Sequence, residues 1–425
     1  MTAPAIDRER LLARLRQLGE VGADPRGGRT RLALSEEDRA GRDLVAGWMR
    51  QAGASVHVDR IGNMHAVLEG SGGGAPIMTG SHIDTVRRAG AYDGCYGVVA
   101  GIEVLDAIAR LPGRPARTVV ATAFTNEEGV RFAPDLLGSR VLAKDISLDE
   151  ALAAVSGDGA VLGAELERIG YAGRDSPWRF LPAAFVELHI EQGPVLDRDG
   201  ARIGIVRGVQ GYSWWQVSIA GRANHAGTTP MDMRLDAGAA AMSLAAELAE
   251  RARREGVPRV ATVGTFELEP AAINVVPGRA VFTVDFRDLD DETLREAERR
   301  LRRALRRLDE RGYATSMQCL ARTAAVRFDA ALCDEIAGLA AAARLPCADM
   351  HSGASHDAQM MAGICPTAMI FVPSKDGISH NPQEHTEPAD LAAGAGLLLE
   401  TMLQLAQAGG RTAQHKGSEH GITRL

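Results

Sequence analysis

The spacing of apolar residues changes period along the chain, and each change marks an element. Leu11, Leu12, Leu15 and Leu18 fall on one face of a helix over residues 7–19. Ser35 with Asp38 resembles a capping box and predicts a second helix, running to about Gln51. Short strand-like runs follow at 54–59, 64–68 and 77–79. An apolar helical stretch covers 96–111, and TVVATAFT at 118–125 reads as a buried strand. Residues 130–182 are mixed, with a helix near 148–155 and then a connection rich in Gly and Pro. AAFVELHI at 183–190 is another continuous apolar strand.

Near residue 211 the character changes. Strands are predicted at 214–219, 261–268 and 280–286, with a weaker one at 314–320. Helical stretches at about 234–255 and 291–311 separate them. Strand-helix-strand-strand-helix-strand is the order of a small α+β domain with its helices on one sheet face. Helices near 329–344 and 387–408 then flank a buried strand at 367–372 and return the chain to its first domain. The expected organisation is a first domain over 1–210 and 326–410, an inserted domain over 211–325 and a polar tail over 411–425. There are no internal repeats.

Length and composition narrow the class. At 425 residues the chain has room for two or three domains, and 45% hydrophobic with 24% charged residues is the ordinary balance of a globular protein. A net charge of −7 without a concentrated basic groove argues against a nucleic-acid partner. The basic run at 295–311 (REAERRLRRALRRLDER) is interleaved with acids at helical spacing and reads as a solvated helix face. The five cysteines, Cys95, Cys319, Cys333, Cys347 and Cys365, are scattered without a CxxC and suit a reducing compartment. The N-terminus lacks the apolar core of a signal peptide, and no stretch approaches the roughly 20 apolar residues of a membrane span. The expectation is a cytoplasmic protein with no membrane partner.

The chemistry concentrates at strand ends. The stretch at 80–97 (GSHIDTVRRAGAYDGCYG) sets His82 and Asp84 two apart and Asp93 in a glycine-framed turn, after a small-residue bend at 76–81. Loops at the C-terminal ends of strands are where α/β sheets build sites. Glu127 and Glu128 directly follow the 118–125 strand, where a loose charged pair would be poorly solvated. Glu187, His189 and Glu191 end the next strand, and HNPQEH at 380–385 follows the last. Any one cluster alone is ordinary polar packing or surface; four at the same end of one predicted sheet point to a metal site. Histidine and carboxylate ligands without thiolate suit Zn, Mn, Co or Ni. Two ions about 3.5–4 Å apart need a bridging carboxylate and mixed N/O ligands, and a further carboxylate must take a proton from water. The Glu-Glu pair offers one side chain for each of the last two duties.

These residues sit in motifs that occur together and in order: GSHIDTV (80–86), YDGCYGV (92–98), NEEG (126–129), ELHIEQGP (187–194), NHAGTTPMDMR (224–234), NVVPG (274–278), SGASHDAQ (352–359) and GISHNP (377–382). From about residue 7 to 408 the chain closely resembles the N-carbamoyl-L-amino-acid hydrolases, grouped with allantoate amidohydrolases and β-ureidopropionases in the aminoacylase/dipeptidase superfamily of dinuclear metallohydrolases. The resemblance implies an α/β fold: a mixed-sheet, zinc-exopeptidase-like catalytic domain with an inserted, smaller α+β (ferredoxin-like) lid and dimerisation domain. It implies two divalent metal ions per subunit. His82 and His189 would ligate one ion, Glu128 and His380 the other, and Asp93 would bridge them. Glu127 would be the general base and Asp84 a supporting partner that orients His82. His189 stands where the superfamily's peptidases often carry an acid, which favours the carbamoylase branch.

For the substrate, the resemblance implies a small ureido compound with a carboxylate. Arg287 would clamp the carboxylate, Gln192 and Asn274 would hydrogen-bond the substrate, and the backbone at Gly353 and Ala354 would add contacts. His225 would stabilise the oxyanion and would come from the partner subunit of a homodimer. Closure of the inserted domain would bring His225, Asn274 and Arg287 over the metals. The implied reaction is hydrolysis of the carbamoyl C–N bond to the free amino acid, CO2 and ammonia. Allantoate and N-carbamoyl-β-alanine are the nearest alternative substrates, aminoacylase or dipeptidase activity is further away, and a non-catalytic binding protein would require lost ligands. His356 reads equally as a loop organiser, His385 as a surface or supporting residue, and Trp214 and Trp215 as packing.

Overall fold

Strands in the middle of a covered sheet have no wet face, and four strands of this chain behave that way. They are β3 (Ile77–His82), β4 (Val119–Phe124), β5 (Ala184–Ile190) and the strand Thr367–Val372, each buried at every position. The structure, a computed structural model, describes residues 4–407; the expected polar tail over 411–425 lies outside them. It divides into two compact units. One holds the chain up to Ile203, Glu335–Pro346 and the chain from Ile370; the other holds Gly204–Asp334 and Cys347–Met369.

In the first unit β1 (Ser55–Val58) and β2 (Met64–Leu68) pair antiparallel and continue the sheet in the order β1-β2-β4-β3-β5. β3 runs parallel to both β4 and β5. The sheet is therefore mixed. Helix Cys95–Ala109 packs across β3, β4 and β5, and its approach is set by Gly97, where a Cβ would meet the Leu188 carbonyl at 2.4 Å. Helix Arg8–Glu20 is tied to that helix through a buried carboxylate: Arg10 Nη2 and Arg14 Nη1 lie 2.6 and 2.7 Å from the Glu103 oxygens.

Three details differ from the sequence reading. Residues 80–82 are not a bend, because the ladder to Thr122, Ala123 and Phe124 carries β3 through to His82. Short helices Leu137–Leu142 and Leu162–Arg168 and the strands Ile203–Val209 and Cys347–Ser352 went unread. Helix Pro388–Gln407 is, at 20 residues, long and apolar enough to cross a membrane. Its Leu391, Leu397, Leu398 and Met402 are buried, and it packs on helix Cys95–Ala109 and β5, so it is a core helix here.

The second unit contains a four-stranded antiparallel sheet in the order Ala314–Thr323, Gly211–Ala220, Arg279–Asp288, Val260–Glu269. Helices Ala237–Glu255 and Asp291–Asp309 cover one face. Period-two alternation sends Trp215, Val217, Ile219, Phe282, Val284 and Phe286 to that face and into the core. Tyr212, Trp214, Asp285 and Arg287 occupy the alternate positions. The arginine-rich helix buries only Leu294, Ala297, Leu301, Ala304, Leu305 and Leu308, while Glu296 pairs with Arg299, Arg300 and Arg303 on its outer side. It is a solvated helix face.

Candidate metal centre

His82 is the last residue of β3, and Asp93 stands just before helix Cys95–Ala109. The Asn126-Glu127-Glu128 loop leaves the end of β4, and His189 is the penultimate residue of β5. His380 follows the Thr367–Val372 strand. The fold thus delivers all these side chains to one end of the sheet in the first unit.

Main-chain carbonyls fix the two imidazoles on the strands. His82 Nδ1 donates to the Asp84 carbonyl and His189 Nδ1 to the Ile190 carbonyl, both at 2.9 Å. Each ring therefore turns its Nε2 lone pair outward. At His189 the Gly94 N–H donates to Nε2 at 3.0 Å, which marks that nitrogen as an acceptor. His82 Nε2 lies 3.7 Å and His189 Nε2 3.2 Å from Asp93 Oδ1. The other Asp93 oxygen faces elsewhere: Oδ2 is 3.0 Å from His380 Nε2 and accepts from Gln192 Nε2 at 2.9 Å. His380 Nε2 is 3.6 Å from Glu128 Oε2. The result is two ligand groups, His82–Asp93–His189 and Asp93–Glu128–His380, each with donor atoms within 4.8 Å of one another and sharing one carboxylate. Glu127 is buried, with Oε2 3.4 Å from His82 Nε2.

The charge balance fits cations. Burial raises Glu128 well above the usual carboxylate range, and the charges of Asp93 and Asp84 push the same way. Burial holds His82 down at about 4. Burial also opposes a charge on His189, but Asp93 outweighs this and lifts the ring to about 9, so a proton and a metal ion compete for the same Nε2 lone pair. Among the described residues the ion pairs to Asp93 and Glu128 come only from histidines. Buried carboxylates with no lysine or arginine, facing imidazole lone pairs, form a donor set that divalent ions complete.

Asp84 acts differently from the sequence expectation. Its carbonyl, not its carboxylate, orients His82; Oδ1 is 3.9 Å from that ring. The carboxylate instead accepts from the Glu127 and Glu128 N–H groups at 3.1 and 3.3 Å and so holds the Glu-Glu loop. Burial, with the nearby Asp38 charge next, pushes it up to about 7. Gly94 has φ 61°, and a Cβ there would lie 2.4 Å from the His82 ring, so only glycine lets Asp93 approach that histidine. Gln192 and His380 also hold left-handed conformations, φ 57° and 53°, without being glycine. Such strain gathers at functional sites. His385 pairs with Glu387 at 3.4 Å near the surface.

In the second unit, His225 pairs with Val275 in a two-stranded ladder, and Asn274 O accepts from Ala226 N at 3.0 Å. His225 is exposed, and its Nδ1 accepts from the Gly227 and Thr228 N–H groups at 3.0 and 3.2 Å, so its proton sits on Nε2. Arg287 donates through Nε to Asp285 and through Nη1 to the Gly353 carbonyl, both at 2.9 Å. Arg287 and the Gly353–Ala354 bend are together. His225 and Asn274 belong to a separate two-stranded ladder whose chain enters the sheet at Arg279, and eight residues of strand, about 27 Å, separate Arg279 from Arg287. His356 Nε2 lies 2.8 Å from Ser352 Oγ, which also receives the Ala354 N–H; this histidine organises its loop.

A sequence profile for peptidase family M20/M25/M40 matches residues 78–404, from β3 through the last helix. The chain belongs to this family. It is 40% identical over 419 residues to the N-carbamoyl-L-amino acid amidohydrolase of Geobacillus stearothermophilus, covering 95% of this chain and 99% of that one. Allantoate amidohydrolase of Escherichia coli (strain K12) is 36% identical over 393 residues, covering 92% and 96%. A solved structure of a hydantoinase/carbamoylase family amidase from Burkholderia ambifaria superposes with TM-score 0.90 at 40% identity, over 96% of this chain and 100% of that one. The chain is thus an M20-type hydrolase with a mixed α/β fold.

One residue of this M20 centre escaped the sequence reading. Glu384 is buried; its Oε1 accepts from the Tyr92 and Asp93 N–H groups at 2.8 and 3.3 Å, and its Oε2 from Ser379 Oγ at 3.0 Å. It ties the loop of Asp93 to the loop of His380. Its only sequence signal was membership of the HNPQEH cluster. Glu384→Ala leaves two N–H groups without their acceptor and is expected to weaken metal retention about 10- to 100-fold, as loss of a ligand-orienting partner does. Glu384→Gln keeps an acceptor and should lose less. Metal content after dialysis against graded chelator checks both.

Proposed function

We propose that the protein hydrolyses the carbamoyl C–N bond of N-carbamoyl-L-amino acids, giving the free amino acid, CO2 and ammonia. The observation that carries the reading is the two-sided Asp93 carboxylate, shared by two histidine-carboxylate groups, with Glu127 buried against His82. The names of the G. stearothermophilus relative and its homologues supply the substrate class.

His82 and His189 would hold one divalent ion, Glu128 and His380 the other, with Asp93 between them. Zn, Mn, Co and Ni all suit these ligands. Bound there, the ions would supply Lewis acidity and make water acidic enough to yield a nucleophile at neutral pH. The protein's own residues do the rest. Glu127 takes the proton of the attacking water and returns it to the departing amine nitrogen, so no net proton is consumed at that side chain. The released carbamate then breaks down to CO2 and ammonia.

The His225 proton on Nε2 suits a donor to the oxyanion that develops on the carbamoyl oxygen. Arg287, with Nε and Nη1 held by Asp285 and Gly353, keeps Nη2 for the substrate carboxylate. Gln192 donates to Asp93 through Nε2 while its buried Oε1 has no partner, which suits an acceptor for a substrate N–H. Asn274 would bind beside His225. At the 353–354 bend the Gly353 carbonyl and the Ala354 amide are already used, so a substrate contact would fall to the Gly353 N–H.

We place His225 and Asn274 in the site of a partner subunit, with the protein a homodimer. The length of strand between Arg279, where the chain of their ladder enters the sheet, and Arg287 supports this, since one small substrate cannot span it. An ammonia-release panel on metal-reconstituted protein tests the substrate. N-carbamoyl-L-amino acids are expected to be turned over faster than their D-isomers, N-carbamoyl-β-alanine and allantoate; faster release from allantoate would replace the reading with the alternative named in the E. coli relative.

A further inference from the structure

Adjacent tryptophans point to opposite faces of strand Gly211–Ala220. Trp215 is buried in the core with its Nε1 on Ser213 Oγ at 2.6 Å, whereas Trp214 is 39% exposed. The strand register fixes what surrounds Trp214. Tyr212 is the cross-strand partner of Arg287, and Trp214 that of Asp285. Cross-strand partners share a face. The Tyr212 and Trp214 rings lie 4.9 Å apart at 31°, and the Arg287 guanidinium carbon is 6.0 Å from the Tyr212 ring centre. On the next strand the partners of Trp214 and Tyr212 are Ala321 and Thr323, which are too small to cover the rings. A guanidinium, a half-buried tyrosine and an exposed tryptophan therefore share one surface.

We infer that Tyr212 and Trp214 form the subsite for the substrate side chain, selecting N-carbamoyl-L-amino acids with aromatic or long apolar side chains over glycine and alanine. The inference rests on the reading above, in which Arg287 receives the substrate carboxylate. That carboxylate and the side chain leave the same carbon, so a substrate held by Arg287 must set its side chain near the surface beside it. Two tilted rings offer a flat apolar shelf, and an aromatic guest gains from both burial and ring-ring geometry. Asp285, the cross-strand partner of Trp214, sets a carboxylate on this surface, which disfavours an acidic side chain.

The test compares kcat/KM for N-carbamoyl-L-phenylalanine and N-carbamoylglycine. Wild type is expected to favour the aromatic substrate by at least about tenfold. Trp214→Ala should cut that ratio about tenfold, mainly through KM, and Trp214→Phe should restore most of it. A second readout does not depend on turnover. L-Phenylalanine should change tryptophan emission saturably in wild type, and Trp214→Phe should abolish the change while far-ultraviolet circular dichroism stays native. A wild-type ratio within about twofold of unity, or one that Trp214→Ala leaves within twofold, overturns the inference. Hydrolysis of neither substrate by metal-loaded wild type would instead overturn the functional reading beneath it.

Discussion

Glu127→Gln should retain both metal ions and lose about 100- to 10,000-fold in kcat, the usual contribution of a positioned acid-base group. The substitution keeps the size and the buried position of the side chain, and the Asp84 carboxylate still holds the loop through the main-chain N–H groups of residues 127 and 128. What disappears is the ability to accept a proton from water and return it to the amine. The neighbouring Glu128→Gln is the contrast. Glu128 shares a donor group with Asp93 and His380, so that change should lower metal content as well as rate. Parallel metal analysis and steady-state kinetics separate the two. A Glu127→Gln protein with unchanged kcat would remove Glu127 from the base role.

Mixing two inactive proteins should restore activity. His225→Ala removes an oxyanion donor, a loss of about 100- to 1,000-fold, and Arg287→Ala removes the carboxylate clamp. If His225 acts across subunits and Arg287 within its own, a mixed dimer has one site with both residues intact and one with neither. Random reassortment makes half of the dimers mixed, so activity should recover to about a quarter of wild type. If both residues served the same chain's site, every site would carry one defect and no recovery would appear. Co-expression with two affinity tags, or refolding of the mixture, gives the measurement. The length of strand Arg279–Asp288 lies between Arg287 and the point where the ladder of His225 enters the sheet.

Much of this was legible in the chain because burial leaves a strong imprint. The run at 118–125 carries no charge and that at 183–190 is apolar up to Val186, and both form fully buried strands within a residue of the expected limits. The clusters around His82, Glu127–Glu128, His189 and His380 stood out because charged or ligating residues at the ends of such runs are expensive without a partner, while the choice of His82, Asp93, Glu128, His189 and His380 among them came from the family resemblance. Other features carried no local signal. Helices of six or seven residues, such as Leu137–Leu142 and Leu162–Arg168, are too short to develop an amphipathic period, and packing rather than propensity makes them. Glu384 lies 291 residues from Asp93 in sequence, so only the fold reveals that one caps the other. No sequence rule distinguishes the Asp84 carbonyl from its carboxylate as the partner of His82. The Trp214–Trp215 pair was a missed opportunity of a different kind. Period-two alternation alone requires one ring to leave the core, and the cross-strand register then sets it beside Asp285, two residues from Arg287.

The most direct test of the central claim is stoichiometric. Metal-free protein should be reconstituted with Zn, Mn, Co or Ni, and ammonia and amino acid measured together from one N-carbamoyl-L-amino acid. The account expects about one ammonia for each amino acid released, with turnover dependent on both ligand groups being filled. Amino acid release from N-acyl amino acids or dipeptides without ammonia, and none from the carbamoyl compounds, would contradict it.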